Sequence, residues 1–186
     1  MKKLILSALV VLCTGVAAFA QEPEKLKGDE SFVILSTKRI QTMEKELTEM
    51  ANRGYHVLYG APTNQVDMAL LMDRNASGRA NFEYKILATS RISTMQKELN
   101  EAGAAGYRLL PRTIIFKNGF LTAELTMIVE RDPSLNSTYE YDLVESIKET
   151  SLHKLIDASI ARGFAPMTMI TLGKNIVVME KTASKP

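Results

Sequence analysis

From Phe32 onward the chain keeps one rhythm of apolar and polar positions and plays it three times. Phe82-Glu83-Tyr84-Lys85-Ile86-Leu87 mostly alternates apolar with polar residues, the period of a half-buried strand. The period then lengthens. Ile92, Met95, Leu99 and Ala102 form one stripe, with Lys97, Glu98 and Glu101 opposite, which predicts an amphipathic helix. Gly106 follows, suited to the left-handed conformation just past a helix end, and then an aromatic, Tyr107. Two more apolar stretches flank Lys117-Asn118-Gly119, and Asn-Gly predicts a hairpin.

The same order recurs on either side. Ile34-Leu35-Ser36-Thr37-Lys38-Arg39-Ile40-Gln41-Thr42-Met43-Glu44-Lys45-Glu46-Leu47 returns as Ile86-Leu87-Ala88-Thr89-Ser90-Arg91-Ile92-Ser93-Thr94-Met95-Gln96-Lys97-Glu98-Leu99. The match runs without a gap to Gly54-Tyr55 and Gly106-Tyr107, with about half of the aligned positions identical. A third, more worn copy keeps the spacing through Tyr141, Leu143, Leu152, Ile156 and Gly163-Phe164. Each copy closes on a similar strand with a charged end: Leu70–Arg74, Met127–Arg131 and Val177–Lys181. Ser93, three residues before Gln96, predicts a capping box, with Thr150 in the corresponding place in the third copy and a weaker Gln41 in the first. Gly173-Lys174-Asn175 predicts a second tight hairpin, and Ala61-Pro62-Thr63-Asn64 a looser connection.

These signals divide the chain into residues 1–20, a leader; 21–31, a polar stretch; repeats at 32–74, 82–131 and 139–181; and a polar tail at 182–186. The fold class expected is α+β: three tandem β-α-β-β repeats, each a three-stranded sheet with one helix on one face. A right-handed crossover followed by a hairpin places the third strand between the first two. One such unit has a marginal core, so the copies are expected to pack into one compact body, with threefold or stacked pseudosymmetry.

The run Tyr84-Lys85-Ile86-Leu87 followed by Leu99-Asn100-Glu101-Ala102-Gly103-Ala104-Ala105-Gly106-Tyr107-Arg108-Leu109 resembles a small bacterial domain family of unknown function. That family carries a Tyr-Lys strand and a Leu-Asn-x-x-Gly-x-x-Gly-Trp-x-Leu motif. The second repeat fits best, with Tyr or Phe where the family prefers Trp; the others match through Leu47 or Ile156, the glycine and the aromatic. The resemblance implies the strand–helix–strand–strand fold and carries no activity or catalytic residue.

The first twenty residues read as an export signal. Lys2 and Lys3 precede an apolar run from Leu4, and Ala18-Phe19-Ala20 is an A-x-A cleavage pattern, so the mature chain is expected to begin at Gln21 in the periplasm or outside the cell. The apolar run is short for a spanning helix, and no later segment is apolar enough to span. Leu12 precedes Cys13 where a lipoprotein signal has a small residue, so Cys13 is read as part of the leader. Its removal leaves no thiol for a disulfide, a metal site or a nucleophile. The 23 Lys and Arg exceed the 21 Asp and Glu only through Lys2 and Lys3, so the mature chain is formally neutral and charge offers no argument for nucleic acid.

Candidate chemistry is sparse. His56 and His153 occupy non-equivalent places in the repeat, and no phosphate loop, nucleophile elbow or H-E-x-x-H helix is present. No metal site, cofactor or catalytic residue is therefore assigned. The ten methionines read as core filler, and Glu44, Glu46, Glu98 and Glu101 as solvated helix charges. One feature recurs outside the expected core. Thr37-x-Arg39, Thr89-x-Arg91 and Ser146-x-Lys148 set a hydroxyl and a cation at each helix start, where backbone N–H groups can hold an anion or a partner's acidic group. Two functions fit: a non-enzymatic envelope protein that binds a partner protein or small ligand, or a small envelope hydrolase or isomerase using carboxylates at a repeat interface. Self-association through strand edges is a third route to function.

Overall fold

The computed structural model describes residues 30–37, 39–63, 68–74, 82–118, 123–171 and 173–184. The leader, and the turns at Asn64 and Gly119, lie outside the described residues. The first sheet is built from β1 (Phe32–Thr37), β2 (Tyr55–Ala61) and β3 (Met68–Arg74), with α1 (Ile40–Asn52) between β1 and β2. The second contains β4 (Glu83–Thr89), β5 (Arg108–Leu109), β6 (Ile115–Asn118) and β7 (Ala123–Arg131), with α2 (Ile92–Ala104) after β4. The third contains β8 (Ser137–Ser146), β9 (Ala165–Thr171) and β10 (Asn175–Ser184), with α3 (Glu149–Ala161) after β8. The molecule is mixed α+β, with three helices and three small antiparallel sheets among the described residues.

In each sheet the last strand lies in the middle. The orders are β1-β3-β2, β4-β7-β5 with β6 also on β7, and β8-β10-β9. Both neighbours run antiparallel to the central strand, so the two outer strands are parallel to each other, as a crossover through the helix requires. The helices start where the alternating pattern gives way to 3.6-residue spacing. Met43, Leu47, Met50 and Ala51 are buried on α1, and Met95, Leu99, Ala102 and Gly103 on α2. They end at Gly54, Gly106 and Gly163, whose φ angles of 86°, 92° and 90° suit a residue without Cβ. The aromatic after each glycine packs under a cation from its own central strand: Arg74 over Tyr55, Arg131 over Tyr107 and Lys181 over Phe164.

Three expectations change. The capping box is absent: the N-caps are Arg39, Arg91 and Lys148, and none makes a side-chain capping bond. Gln96 instead accepts the Leu143 N–H of the next sheet at 3.1 Å. Glu44 is likewise more than a solvated charge, since its carboxylate accepts the Ile86 N–H at 3.3 Å. The middle sheet has four strands, because Pro111 cannot donate to the ladder and a 3-10 turn at Pro111–Thr113 splits the second outer strand. Thr113 repairs the gap: its hydroxyl donates to Leu110 O at 2.7 Å and accepts the Ile128 N–H at 3.1 Å.

The layers alternate sheet and helix. One face of each sheet holds its own helix, and the other face of the second and third sheets covers the helix before it. Ile86, Ile115 and Ile128 join Met43, Leu47 and Met50 of α1 in one core cluster. Tyr141, Leu143, Ile176 and Val178 join Met95 and Leu99 of α2 in another. The approach of α2 to β8 is so close that a Cβ at Gly103 would lie 2.1 Å from the Tyr139 carbonyl oxygen. The order is first sheet, α1, second sheet, α2, third sheet, α3.

Candidate functional site

The three hydroxyl–cation corners share one local geometry. Thr37 Oγ1 accepts the Arg39 N–H at 3.3 Å, Thr89 Oγ1 accepts the Arg91 N–H at 3.3 Å, and Ser146 Oγ accepts the Lys148 N–H at 3.1 Å. Each hydroxyl thus closes the turn between strand and helix, in competition with any ligand. Arg39, Arg91 and Lys148 are exposed. The three corners lie at different levels of the stack, so they do not converge on one another.

The middle corner borders a cleft. Thr89, Ser90, Arg91, Ile92 and Ser93 line a space of about 450 Å³ together with Phe116, Leu125, Glu145, Lys174 and Ile176. The second and third sheets therefore both contribute walls. The α2 N-terminus opens here, with no acidic side chain in its first turn to neutralise its partial positive charge. Lys174 Nζ lies 2.7 Å from Glu145 Oε2, so among the described residues Arg91 is the unmatched charge of the cleft's three ionic side chains.

A second cleft, of about 470 Å³, lies on the flank where Arg108, Glu130 and Glu180 meet Leu109, Pro111 and Pro166. Its polar residues belong to two contacts of the same design. Between the first and second sheets, His56 Nε2 lies 2.9 Å from Glu130 Oε2, and the Val57 N–H donates to the Tyr84 hydroxyl at 3.2 Å. Between the second and third, Arg108 grips Glu180 through Nε and Nη2 at 2.8–3.1 Å, and the Leu109 N–H donates to the Tyr141 hydroxyl at 2.8 Å. Tyr141 in turn donates to Glu180 at 3.3 Å.

Burial, reinforced by the neighbouring carboxylates, pushes both tyrosine hydroxyls far up, so they stay protonated. The bond to Glu130 raises the His56 pKa against the opposing cost of burial, and Asp73 adds to the rise. The bond to Glu180 likewise raises that of Arg108.

Sequence reasoning picked out Thr89 and Arg91 but not their companions Glu145 and Lys174, which come from another sheet. It also missed the tyrosine–carboxylate–base contacts. Their one visible trace is a tyrosine at the same place in two first strands, Tyr84 and Tyr141, opposite Glu130 and Glu180 in register. No family model, no curated protein and no solved structure matches the chain.

Proposed function

We propose that this chain is an exported, non-enzymatic scaffold of three tandem copies of one β-α-β-β unit, and that it binds an anionic group in the cleft at the start of α2. The group would be a phosphate, sulfate or carboxylate on a small ligand or on a partner protein of the envelope. The single observation carrying the reading is the cleft itself, with Arg91 beside an uncapped helix start. The leader at residues 1–20 supports export, and the shared strand order of the three sheets supports the tandem-repeat reading and its kinship with the bacterial domain family.

The flank cleft favours the second reading, an enzyme using interface carboxylates, because Glu130 and Glu180 both line it. It is the weaker one. Each carboxylate is already matched by a base from the adjoining layer and a tyrosine of its own sheet, an arrangement suited to holding layers together.

Melting the mature protein in graded sodium phosphate against sodium chloride of equal ionic strength tests the binding site. A saturable, phosphate-specific rise in Tm that disappears in Arg91→Ala is expected. Equal curves in the two salts would end the anion reading.

A further inference from the structure

Among the described residues nothing covers the two ends of the layered stack, and they are the two halves of a contact the molecule already makes twice. At the starting end, Ile34 of β1 lies beside Leu71 of β3, with Tyr59 of β2 on the far side of Leu71. Ile34 is 69% exposed, whereas its counterparts Ile86 and Leu143, in the same place on β4 and β8, are 8% and 6% exposed. The difference follows the layering: α1 and α2 cover the second and third sheets, and among the described residues no helix lies on that face of the first sheet.

At the finishing end, no sheet of the described residues lies beyond α3. The sector of α2 that meets β8 carries Gln96, Asn100 and Gly103; the same sector of α3 carries His153, Asp157 and Ile160, all exposed. Among the described residues, six of the eight large exposed hydrophobics fall at these two ends: Phe32, Ile34 and Tyr59 at one, Leu155, Ile160 and Met169 at the other.

The interior contact also shows how the ends differ from the middle. Each inner junction joins a backbone N–H, from Val57 or Leu109, to a tyrosine hydroxyl, Tyr84 or Tyr141. At the free ends the N–H position is Pro166, which has no donor, and the tyrosine position is Phe32, which has no hydroxyl. Both halves of the bond are missing together, so neither half of that pair is stranded where the two ends meet. Ala165 stands where His56 and Arg108 stand, so no base is left unpaired, and Asp73, at the place of Glu130 and Glu180, lies opposite His56 of its own sheet, the base it interacts with. Ile160 at the place of Gly103 seats such a junction less closely than α2 sits on β8, and fills the extra width with apolar surface.

We infer that the open face of the first sheet takes α3 of a second copy of this chain, head to tail. The contact is heterologous: Phe32, Ile34 and Tyr59 on one copy meet His153, Asp157 and Ile160 on the next. The Ile34 N–H occupies the edge position from which Ile86 and Leu143 reach α1 and α2, and His153 and Asp157 keep a polar i, i+4 pair to receive it. The inference rests on the stacking of the layers and is independent of the anion cleft.

Sedimentation of the full mature chain across a wide concentration range, with Ile34→Glu and Ile160→Glu beside it, tests this. The wild-type mass should rise at least twofold with concentration. Each variant should stay at one chain, with unchanged far-UV circular dichroism. An equimolar mixture of the two should reach twice the mass of one chain, because each variant retains the end that the other has lost. A wild-type chain that stays single throughout, or a mixture that stays single while the wild type associates, overturns the head-to-tail contact.

Discussion

His56 and Arg108 do the same work with different chemistry. Each reaches from one sheet to a glutamate on the next, but the guanidinium stays charged at every physiological pH while the imidazole titrates. The groups facing His56 are Glu130, Asp73 and the Phe82 ring, and the first of these is the main cause of its raised pKa. A histidine whose folded pKa lies above its unfolded value adds stability in full below the unfolded value, about 6.5. That contribution is lost as pH rises through the folded value. Urea midpoints measured from pH 5.5 upward should therefore fall through and above neutrality in the wild type, and His56→Gln should remove that part of the slope. Identical slopes in the two proteins would mean that the His56–Glu130 pair contributes nothing to stability.

At the scale of elements, α1 and α2 are not equivalent as covers. Asn100 of α2 donates to the Tyr141 carbonyl at 2.9 Å and accepts the Tyr141 N–H at 2.8 Å, so one side chain closes the edge of β8. Thr48, in the same place on α1, bonds to its own helix at Glu44 O. Asn100→Ala should cost about 1–3 kcal/mol in urea denaturation, through the polar groups it strands, while Thr48→Ala should stay within about 0.5 kcal/mol. Equal losses would place the edge bonding elsewhere.

The same residues mark what the sequence could and could not reveal. The strands, helices and capping glycines were legible because alternation, 3.6-residue spacing and positive φ are local properties. Gln96 reads as part of a capping box because Ser93 stands three residues away, whereas its partner in the fold, Leu143, is 47 residues on. Pro111 was visible, but its effect on the middle sheet depends on how the strand pairs with β7. Of the candidate site, the Thr89–Arg91 corner was legible, and the wall supplied by Glu145 and Lys174 was not, since no periodicity relates one sheet to the next.

The molecule as a whole is held by shared cores. The first cluster joins α1 to two sheets and the second joins α2 to two sheets, whereas the third contains four buried residues: Val144, Leu152, Val177 and Met179. On α3 itself only Leu152 and Ser159 are buried, against four residues on each of α1 and α2. In dilute protein, amide hydrogen exchange should be about tenfold or more faster in α3 than in α2, because opening α3 exposes little apolar surface. Equal protection in the three helices would show that the stack unfolds as one unit.

The tyrosine contact has a consequence for how long such a chain can be. The first sheet carries the N–H of Val57 but Phe32 where a hydroxyl would be; the third carries Tyr141 but Pro166 where a donor would be. Of the three sheets, the middle one holds both halves, Tyr84 and Leu109. Doubling residues 82–131 within the gene would then join like to like at every new seam, whereas doubling either terminal unit would strand a partner. A stack of this kind can therefore be lengthened at its middle layer, while its two outer sheets keep their places.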